Sequence, residues 1–173
     1  MKQLNILALL MCFGIALFSQ ENRMNQTIFD SKSNHEIMIG YCTLAGITDT
    51  LFNSSFRNEY AAYIPNPEMT SQVSSLLNGI SMTIVLGTWC SDSREQVPRF
   101  MKVLNVAGND APVPLLICVD SDKKAGDVSL EGMNITKVPT FIIFHNKREL
   151  GRIIETPQTT IEQDLYLILR TKL

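Results

Sequence analysis

The stretch at residues 83–98 constrains the fold of this chain more than any other part of its sequence. Residues 84–86 are Ile, Val and Leu, an apolar and largely β-branched run that is typical of a buried strand. Residues 91–93 are Ser, Asp and Ser, which is typical of the first turn of a helix. Cys90 therefore lies where a buried strand passes into a helix.

The position of Cys90 gives its sulfur an unusual environment. The first turn of a helix has unpaired N–H groups and carries the positive end of the helix dipole, and both stabilise a thiolate relative to a thiol. The common alternative for a lone cysteine is an inert side chain packed in the core. Its place at a helix N-terminus, directly after Trp89, favours a reactive thiol.

Composition indicates one globular domain with an extension. The chain has 173 residues, of which 45% are hydrophobic and 18% charged, and these fractions are ordinary for a folded domain. Lys and Arg number 15 against 17 Asp and Glu, and the positive charges form no cluster. We therefore expect no nucleic acid among the partners of this protein.

Residues 1–20 have the pattern of a cleavable secretory signal peptide. Lys2 supplies a short positive segment, and residues 6–18 are uncharged and mostly apolar. An uncleaved N-terminal membrane anchor is the alternative. A lipidated Cys12 is disfavoured, because the apolar run continues beyond it. We expect the protein to be exported, with contact to a membrane only if the signal stays uncleaved.

Two segments separate this signal from the first core strand. Residues 21–35 are polar, rich in Asn and Ser and without periodicity, and we predict a mobile leader there. Residues 36–80 are predicted to form a mostly helical N-terminal extension packed on the core. The start of this extension, residues 36–41, fits an added edge strand.

Aromatic residues recur at helical spacing in the extension. Phe52, Phe56, Tyr60 and Tyr63 are four, four and three positions apart, which places them on one face of a helix. Asn66 followed by a proline predicts the start of a second helix, since Asn caps helices and Pro is tolerated at the first helical position. Neither helix can bury its apolar face alone, so both are expected to pack on the core.

The remaining pattern alternates strand and helix. After a strand at 83–87 it predicts a helix, a buried strand, a hairpin and a C-terminal helix that opens at a capping box. The predicted ranges are 93–107 for the helix, 113–119 for the buried strand, 140–144 and 149–154 for the hairpin, and 159 onward for the last helix. The order is βαβ followed by ββα.

The motif Trp89-Cys90-x-x-Ser93 resembles the active-site motif of the thioredoxin family. Pro98 lies eight residues after Cys90, where thioredoxins carry the proline of the active-site helix, and Pro139 lies 49 residues after it, close to the place of their cis-proline. The chain is most similar to small exported thioredoxin-like proteins of bacteria that have Trp-Cys-x-Asp-Ser in this motif.

The resemblance implies a fold and a location. Residues 81–173 are expected to form an α/β thioredoxin-like domain with three layers, α/β/α, around a mixed sheet. The extension at residues 36–80 lies outside the resemblance. The implied location is the bacterial cell envelope, in the periplasm.

The resemblance also implies roles for individual residues. Catalytic roles fall on the motif itself, at Trp89, Cys90, Asp92 and Ser93. Substrate-binding roles fall on residues around the expected cis-proline and before the motif, at Thr88, Val138 and Pro139. Trp89 fits a simple core aromatic equally well. No cofactor is implied, and no metal site is predicted because neither His35 nor His145 has a second ligand at metal spacing.

Ser93 is the main departure from the dithiol pattern of thioredoxins. A second cysteine at this place attacks the mixed disulfide and releases the substrate, which a hydroxyl cannot do. Two roles are open for Ser93: a hydrogen bond to the Cys90 thiolate, or a cap of the helix. Asp92 opposes a second negative charge nearby, and Arg94 partly offsets it.

Two other cysteines remain after removal of the signal. Cys118 lies in the predicted buried strand, and we expect it to serve packing only. Cys42 lies outside the predicted thioredoxin-like domain and is a candidate resolving thiol for Cys90, provided that the fold brings the two within disulfide distance. Three cysteines are an odd number, so at least one thiol has no partner within the mature chain.

The sequence thus leads to two hypotheses for function. The first is a thiol-disulfide exchange protein of monothiol reductase or isomerase type, in which Cys90 forms mixed disulfides with protein or small-molecule thiols. The second is a redox-inactive thioredoxin-fold module that binds an extended peptide beside Trp89, Val138 and Pro139.

Overall fold

The computed structural model describes residues 24–49, 52–108 and 110–172. The predicted signal at residues 1–20 and the first residues of the predicted leader lie outside them. The strands are β1 (Gln26–Asp30), β2 (His35–Cys42), β3 (Ile80–Leu86), β4 (Leu115–Cys118), β5 (Thr140–His145) and β6 (Arg148–Ile154). The helices are α1 (Leu44–Thr48), α2 (Phe52–Ala62), α3 (Pro67–Leu76), α4 (Ser91–Ala107) and α5 (Ile161–Leu169), with a 3₁₀ turn at Arg170–Lys172.

The six strands form one mixed sheet in the order β1-β2-β4-β3-β5-β6. β3 and β4 are parallel and are joined by α4, while every other neighbouring pair is antiparallel. The βαβ unit of β3, α4 and β4 is followed by the hairpin β5–β6 and by α5. This is the order expected of a thioredoxin-like fold, and the predicted α/β class with a mixed sheet is confirmed.

One face of the sheet is covered by all five helices. Ile84 of β3 and Phe141 of β5 point into this helix-side core, where the Phe141 ring stacks on Phe100 of α4 with 4.4 Å between ring centroids. Each of the five helices contributes buried side chains to this core. One example from each, in chain order, is Ile47, Phe52, Val73, Phe100 and Ile161. Proline at position 98 lies inside α4, as the resemblance implied.

The opposite face of the sheet is covered by a loop. Val85, Ile117 and Val119 point into this loop-side core, together with Ala125 and Val138. Apolar side chains from the segment between β4 and β5 cover them, namely Val128, Leu130, Met133 and Ile135. The expected third, helical layer is therefore replaced here by residues 120–137, which the structure describes without a helix.

The backbone of this segment explains why it does not coil into a helix. Lys123, Gly126, Gly132 and Asn134 all have positive φ angles, between 52° and 79°. Each such residue interrupts a right-handed helix, so no run long enough for a stable helix is left between them.

The N-terminal part of the described chain differs from the prediction. Gln26–Asp30 was expected in a mobile leader, but it forms strand β1 and pairs with β2 along its whole length. Pairing with β1 on one side and β4 on the other also makes β2 an interior strand instead of an edge strand. The Asp30 carboxylate accepts hydrogen bonds from Ser121 and Ser33, which together lower the pKa of Asp30 to about 2.

The predicted helices of the extension are present as α2 and α3. The Asn66 side chain accepts a hydrogen bond from the Met69 N–H and caps α3. A buried carboxylate joins this region to α5: Glu162 accepts hydrogen bonds from the Tyr63 hydroxyl at 2.7 Å and from the Asn66 N–H at 2.9 Å. Burial raises the pKa of the Tyr63 hydroxyl, and the hydrogen bond to Glu162 raises it further.

No helix in the described ranges is both long and apolar enough to cross a membrane.

We predict that Glu162→Ala lowers the free energy of unfolding by about 1–3 kcal/mol, because it leaves the Asn66 N–H and the Tyr63 hydroxyl without their buried acceptor. Urea unfolding followed by circular dichroism measures the change. Tyr63→Phe removes one of the two hydrogen bonds and should cost less. Glu131→Ala, at an exposed loop carboxylate, is the control; an equal effect in both glutamate variants would contradict the structural role of Glu162.

Candidate functional site

Cys90 lies between the end of β3 and the start of α4, as the sequence predicted. It is the N-cap residue of α4, with extended backbone angles (φ −83°, ψ 130°), and its side chain makes no capping hydrogen bond. The half-buried thiol donates instead to the carbonyl oxygen of Val138, at an Sγ to O distance of 3.2 Å. Cys90 is thus held against the loop that leads into β5.

The residues before Cys90 place the Trp89 indole close to the backbone. A side chain at Gly87 would put a Cβ atom 2.7 Å from indole atoms Cε2 and Nε1, so the turn requires glycine there. The Trp89 Nε1–H donates to the Val119 carbonyl at 2.9 Å, and the Lys123 ammonium lies 5.2 Å from the ring centroid. Trp89 therefore packs on the loop-side core, as a core aromatic would.

Val138 and Pro139 meet Cys90 at the start of β5. The Val138–Pro139 peptide bond is cis, the isomer that the resemblance implied. Both residues are buried, and the Pro139 carbonyl accepts from the Glu155 N–H at 2.7 Å. The Val138 carbonyl, which the resemblance assigns to substrate, is occupied by the Cys90 thiol in this state.

The Ser93 hydroxyl binds the backbone of the preceding turn, a contact that the sequence did not predict. The side chain is fully buried, and its Oγ accepts a hydrogen bond from the Gly87 N–H at 3.2 Å. The N-cap position belongs to Cys90, so Ser93 does not cap the helix. Ser93 stabilises the turn that carries Trp89 and Cys90. Asp92 lies half-buried in the first turn of α4.

Thr88 also holds the motif in place through hydrogen bonds. Its hydroxyl accepts a hydrogen bond from the Met38 N–H of β2 at 3.1 Å, and its carbonyl accepts from the Arg94 Nε at 2.9 Å. Thr88, which we expected to bind substrate, is 6% exposed, and its hydroxyl is engaged by β2. Sequence reasoning missed Met38 and gave Arg94 another role, because both contacts depend on the long-range position of β2 and on the turn geometry.

Two clefts flank the motif. One, of about 370 Å³, lies between α2 and the start of α4, and a larger one, of about 510 Å³, lies between the motif and the β1–β2 hairpin. Trp89 and Arg94 border both clefts. The larger cleft is also lined by polar side chains that include His35, Glu36 and Asp49. The motif gave no sign of this cleft, because one of its walls is the hairpin.

Cys42 and Cys118 lie away from Cys90. Both are buried in the helix-side core, with their sulfurs 2.6 Å apart, whereas Cys90 packs against the loop-side core. Cys42 was a candidate resolving thiol for Cys90, but the alternation of side chains along β2 directs it toward the helices and into contact with Cys118. Across the residues that the structure describes, no three His, Cys, Asp or Glu side chains are grouped as a metal site would need.

Comparisons with known proteins support the fold and name no family. No protein-family model and no curated protein matches the chain. The solved structures similar to it include an HIV epitope scaffold, with a TM-score of 0.54 and 12% identity over 75% of this chain and 90% of the scaffold. A Pseudomonas aeruginosa protein described as of unknown function has a TM-score of 0.51 and 12% identity, over 75% of this chain and 96% of its own.

A thioredoxin is among the weaker structural matches. A mutant thioredoxin from Halobacterium salinarum has a TM-score of 0.34 and 16% identity, over 60% of this chain and 82% of its own. This match is too distant to support an argument about residues. The thioredoxin-like character of the chain therefore rests on its own topology and on the geometry around Cys90.

We predict that Ser93→Ala lowers the free energy of unfolding by about 1–3 kcal/mol, because the Gly87 N–H loses its buried acceptor. The alkylation rate of Cys90 by iodoacetamide should change less than threefold, since the hydroxyl bonds to the backbone and not to the sulfur. Ser91→Ala, at the exposed first residue of α4, is the matched control. A tenfold slower alkylation with unchanged stability would show that Ser93 acts on the thiol.

Proposed function

We propose that this protein is an exported thiol-disulfide exchange protein that works with Cys90 as its single active thiol. The observation that carries the proposal is the placement of the Cys90 sulfur at the start of α4 and 3.2 Å from the Val138 carbonyl, beside a cis-proline. Of the three described cysteines, Cys90 alone is not buried. A disulfide in solution can therefore reach this sulfur and not the other two.

The first step is attack by the Cys90 thiolate on a substrate disulfide, after its proton has passed to water or buffer. A bond forms between Cys90 Sγ and one substrate sulfur, the substrate S–S bond breaks, and the other substrate sulfur leaves as a thiolate. The hydrogen bond from Cys90 to Val138 is lost when the thiol ionises. The carbonyl is then free to accept from a backbone N–H of an extended substrate.

The second step needs a thiol from outside the chain. Ser93 has no sulfur, and Cys42 and Cys118 face the helix-side core, so none of them is placed to attack the mixed disulfide. A thiolate from a small molecule or a protein forms a bond with the substrate sulfur, and Cys90 leaves as a thiolate. The overall result is exchange of substrate partners, as in a monothiol reductase or isomerase.

The proposed partners are protein or small-molecule thiols and disulfides in the bacterial cell envelope. The signal pattern at residues 1–20 and the thioredoxin-like motif support this location. The cleft of about 510 Å³ beside Trp89 and Arg94 has room for side chains that flank a substrate cysteine. Its mixed lining of charged and apolar groups favours a peptide over a small apolar ligand.

Two peptides joined by one disulfide test the mechanism, because the second peptide leaves as a free thiol when Cys90 attacks. Without added thiol, the wild-type protein should accumulate a mixed disulfide at Cys90, seen by mass spectrometry, and reduced glutathione should release it. Ser93→Cys supplies a thiol within the motif and should release the peptide without glutathione. Cys90→Ser is the matched control and should form no adduct; equal exchange by wild type and Cys90→Ser would overturn the proposal.

A redox-inactive peptide-binding module is the second candidate. It is favoured by one observation: Trp89 borders two clefts whose linings do not include Cys90. A module should bind an extended peptide with the same affinity after Cys90→Ser, whereas the exchange protein should retain partners only as disulfides. Titration calorimetry with a cysteine-free peptide and with a matched peptide that contains a disulfide separates the two functions.

A further inference from the structure

A pair of buried sulfurs lies on the face of the sheet opposite to Cys90. The Sγ atoms of Cys42, at the end of β2, and Cys118, at the end of β4, are 2.6 Å apart. The side chains are 4% and 0% exposed. The two cysteines are separated by 76 positions in sequence, so this contact depends on the fold and not on chain proximity.

The pairing of β2 with β4 explains how the two sulfurs meet. Gly40 lies opposite Cys118 and Cys42 lies opposite Leu116. Cys42 and Cys118 are therefore diagonal neighbours on one face of an antiparallel pair. Both side chains point to the helix side of the sheet, and their sulfurs meet there.

We propose that Cys42 and Cys118 form a structural disulfide that fastens β2, and with it the β1–β2 hairpin, to the thioredoxin-like sheet. This inference goes beyond the proposed function and does not depend on it, since the pair is separated from Cys90 by the sheet. It also accounts for the odd cysteine count: two thiols pair for stability, and Cys90 is left free for exchange.

The bond forms by two exchange steps with a small-molecule disulfide such as oxidised glutathione. One cysteine thiolate attacks this disulfide and releases one thiol; the second cysteine then attacks the mixed disulfide and releases the other. Two protein thiols are oxidised, one reagent disulfide is reduced to two thiols, and two protons move from the protein sulfurs to the released ones. Oxidising compartments supply such disulfides.

This oxidation takes place during folding and not in the folded protein. In the folded core, the contact with the Cys42 sulfur raises the pKa of the Cys118 thiol well above its usual value, and burial adds to this effect. A protonated, buried thiol neither attacks a disulfide nor admits one. The bond therefore has to form before the helix-side core closes over the two strands.

Peptide mapping tests the proposal directly. The full chain is refolded in a buffer of reduced and oxidised glutathione, alkylated, and digested with trypsin without reduction. Cleavage after Lys and Arg places the four cysteines in separate peptides, which are residues 3–23, 33–57, 58–94 and 103–123. We expect peptides 33–57 and 103–123 to be joined, two hydrogens lighter than their sum, and peptide 58–94 to carry Cys90 unlinked within the chain.

Variants separate this bond from the chemistry of Cys90. Cys90→Ser should keep the link between peptides 33–57 and 103–123 whatever its effect on exchange. The double variant Cys42→Ala with Cys118→Ala should melt about 10 °C below the oxidised wild type, because the cross-link restricts the unfolded chain. The proposal is overturned if both peptides are alkylated separately after oxidative refolding, or if Cys42 is joined to any other cysteine.

Discussion

The alternation of side chains along β3 and β4 is the constraint on which the rest of this structure depends. Successive residues of a strand point to opposite faces of the sheet, so Ile84 enters the helix-side core while Val85 enters the loop-side core. The same rule separates the sulfurs: Cys118 points toward the helices, and Cys90, after β3 has ended, packs on the other side. The sheet thus separates the three described thiols into a buried pair on the helix side and an accessible single one on the loop side.

A buried hydrogen bond joins the β1–β2 hairpin to the site. The Met38 N–H, in the interior of the sheet, donates to the Thr88 hydroxyl directly before the motif. The hairpin also supplies one wall of the larger cleft. An element that the motif does not contain therefore both orders the motif and shapes the surface next to it. A disulfide between β2 and β4 would hold this arrangement from the opposite face of the sheet.

Sequence predicted the parts of the fold whose signals are local. The turn from β3 into α4, the Asn66 cap and the start of α5 each depend on a few adjacent residues, and the structure contains all three. The capping box predicted before α5 is not formed as expected: Thr160 is the N-cap, and the Glu162 carboxylate accepts from Tyr63 and Asn66 instead. β1 was missed because Gln26–Asp30 is a short polar-flanked segment whose strand conformation depends on pairing with β2. The conformation of the loop at residues 120–137 depends on positive φ angles, and no periodic pattern in the sequence reveals them.

In the candidate site, the sequence predicted the positions of residues but not all of their contacts. The motif and its spacing predicted where Cys90, Trp89 and Pro139 would lie, because they are fixed by a strand, a turn and a helix. They did not predict what Thr88 and Ser93 do, since their partners are Met38 and the Gly87 backbone. The same holds for Cys42, whose partner is set by strand register and not by distance along the chain.

The contact of Ser93 gives a physical reason for a serine, and not a cysteine, at this position of the motif. The Gly87 N–H is buried at the turn that carries Trp89 and Cys90, and a buried N–H needs an acceptor. A serine hydroxyl accepts well, whereas a cysteine sulfur is a weak acceptor. The serine therefore stabilises the turn that presents the remaining thiol, and it does so at the position where a resolving thiol would otherwise stand. In the proposed exchange reaction, the thiol that completes the cycle therefore comes from outside the chain.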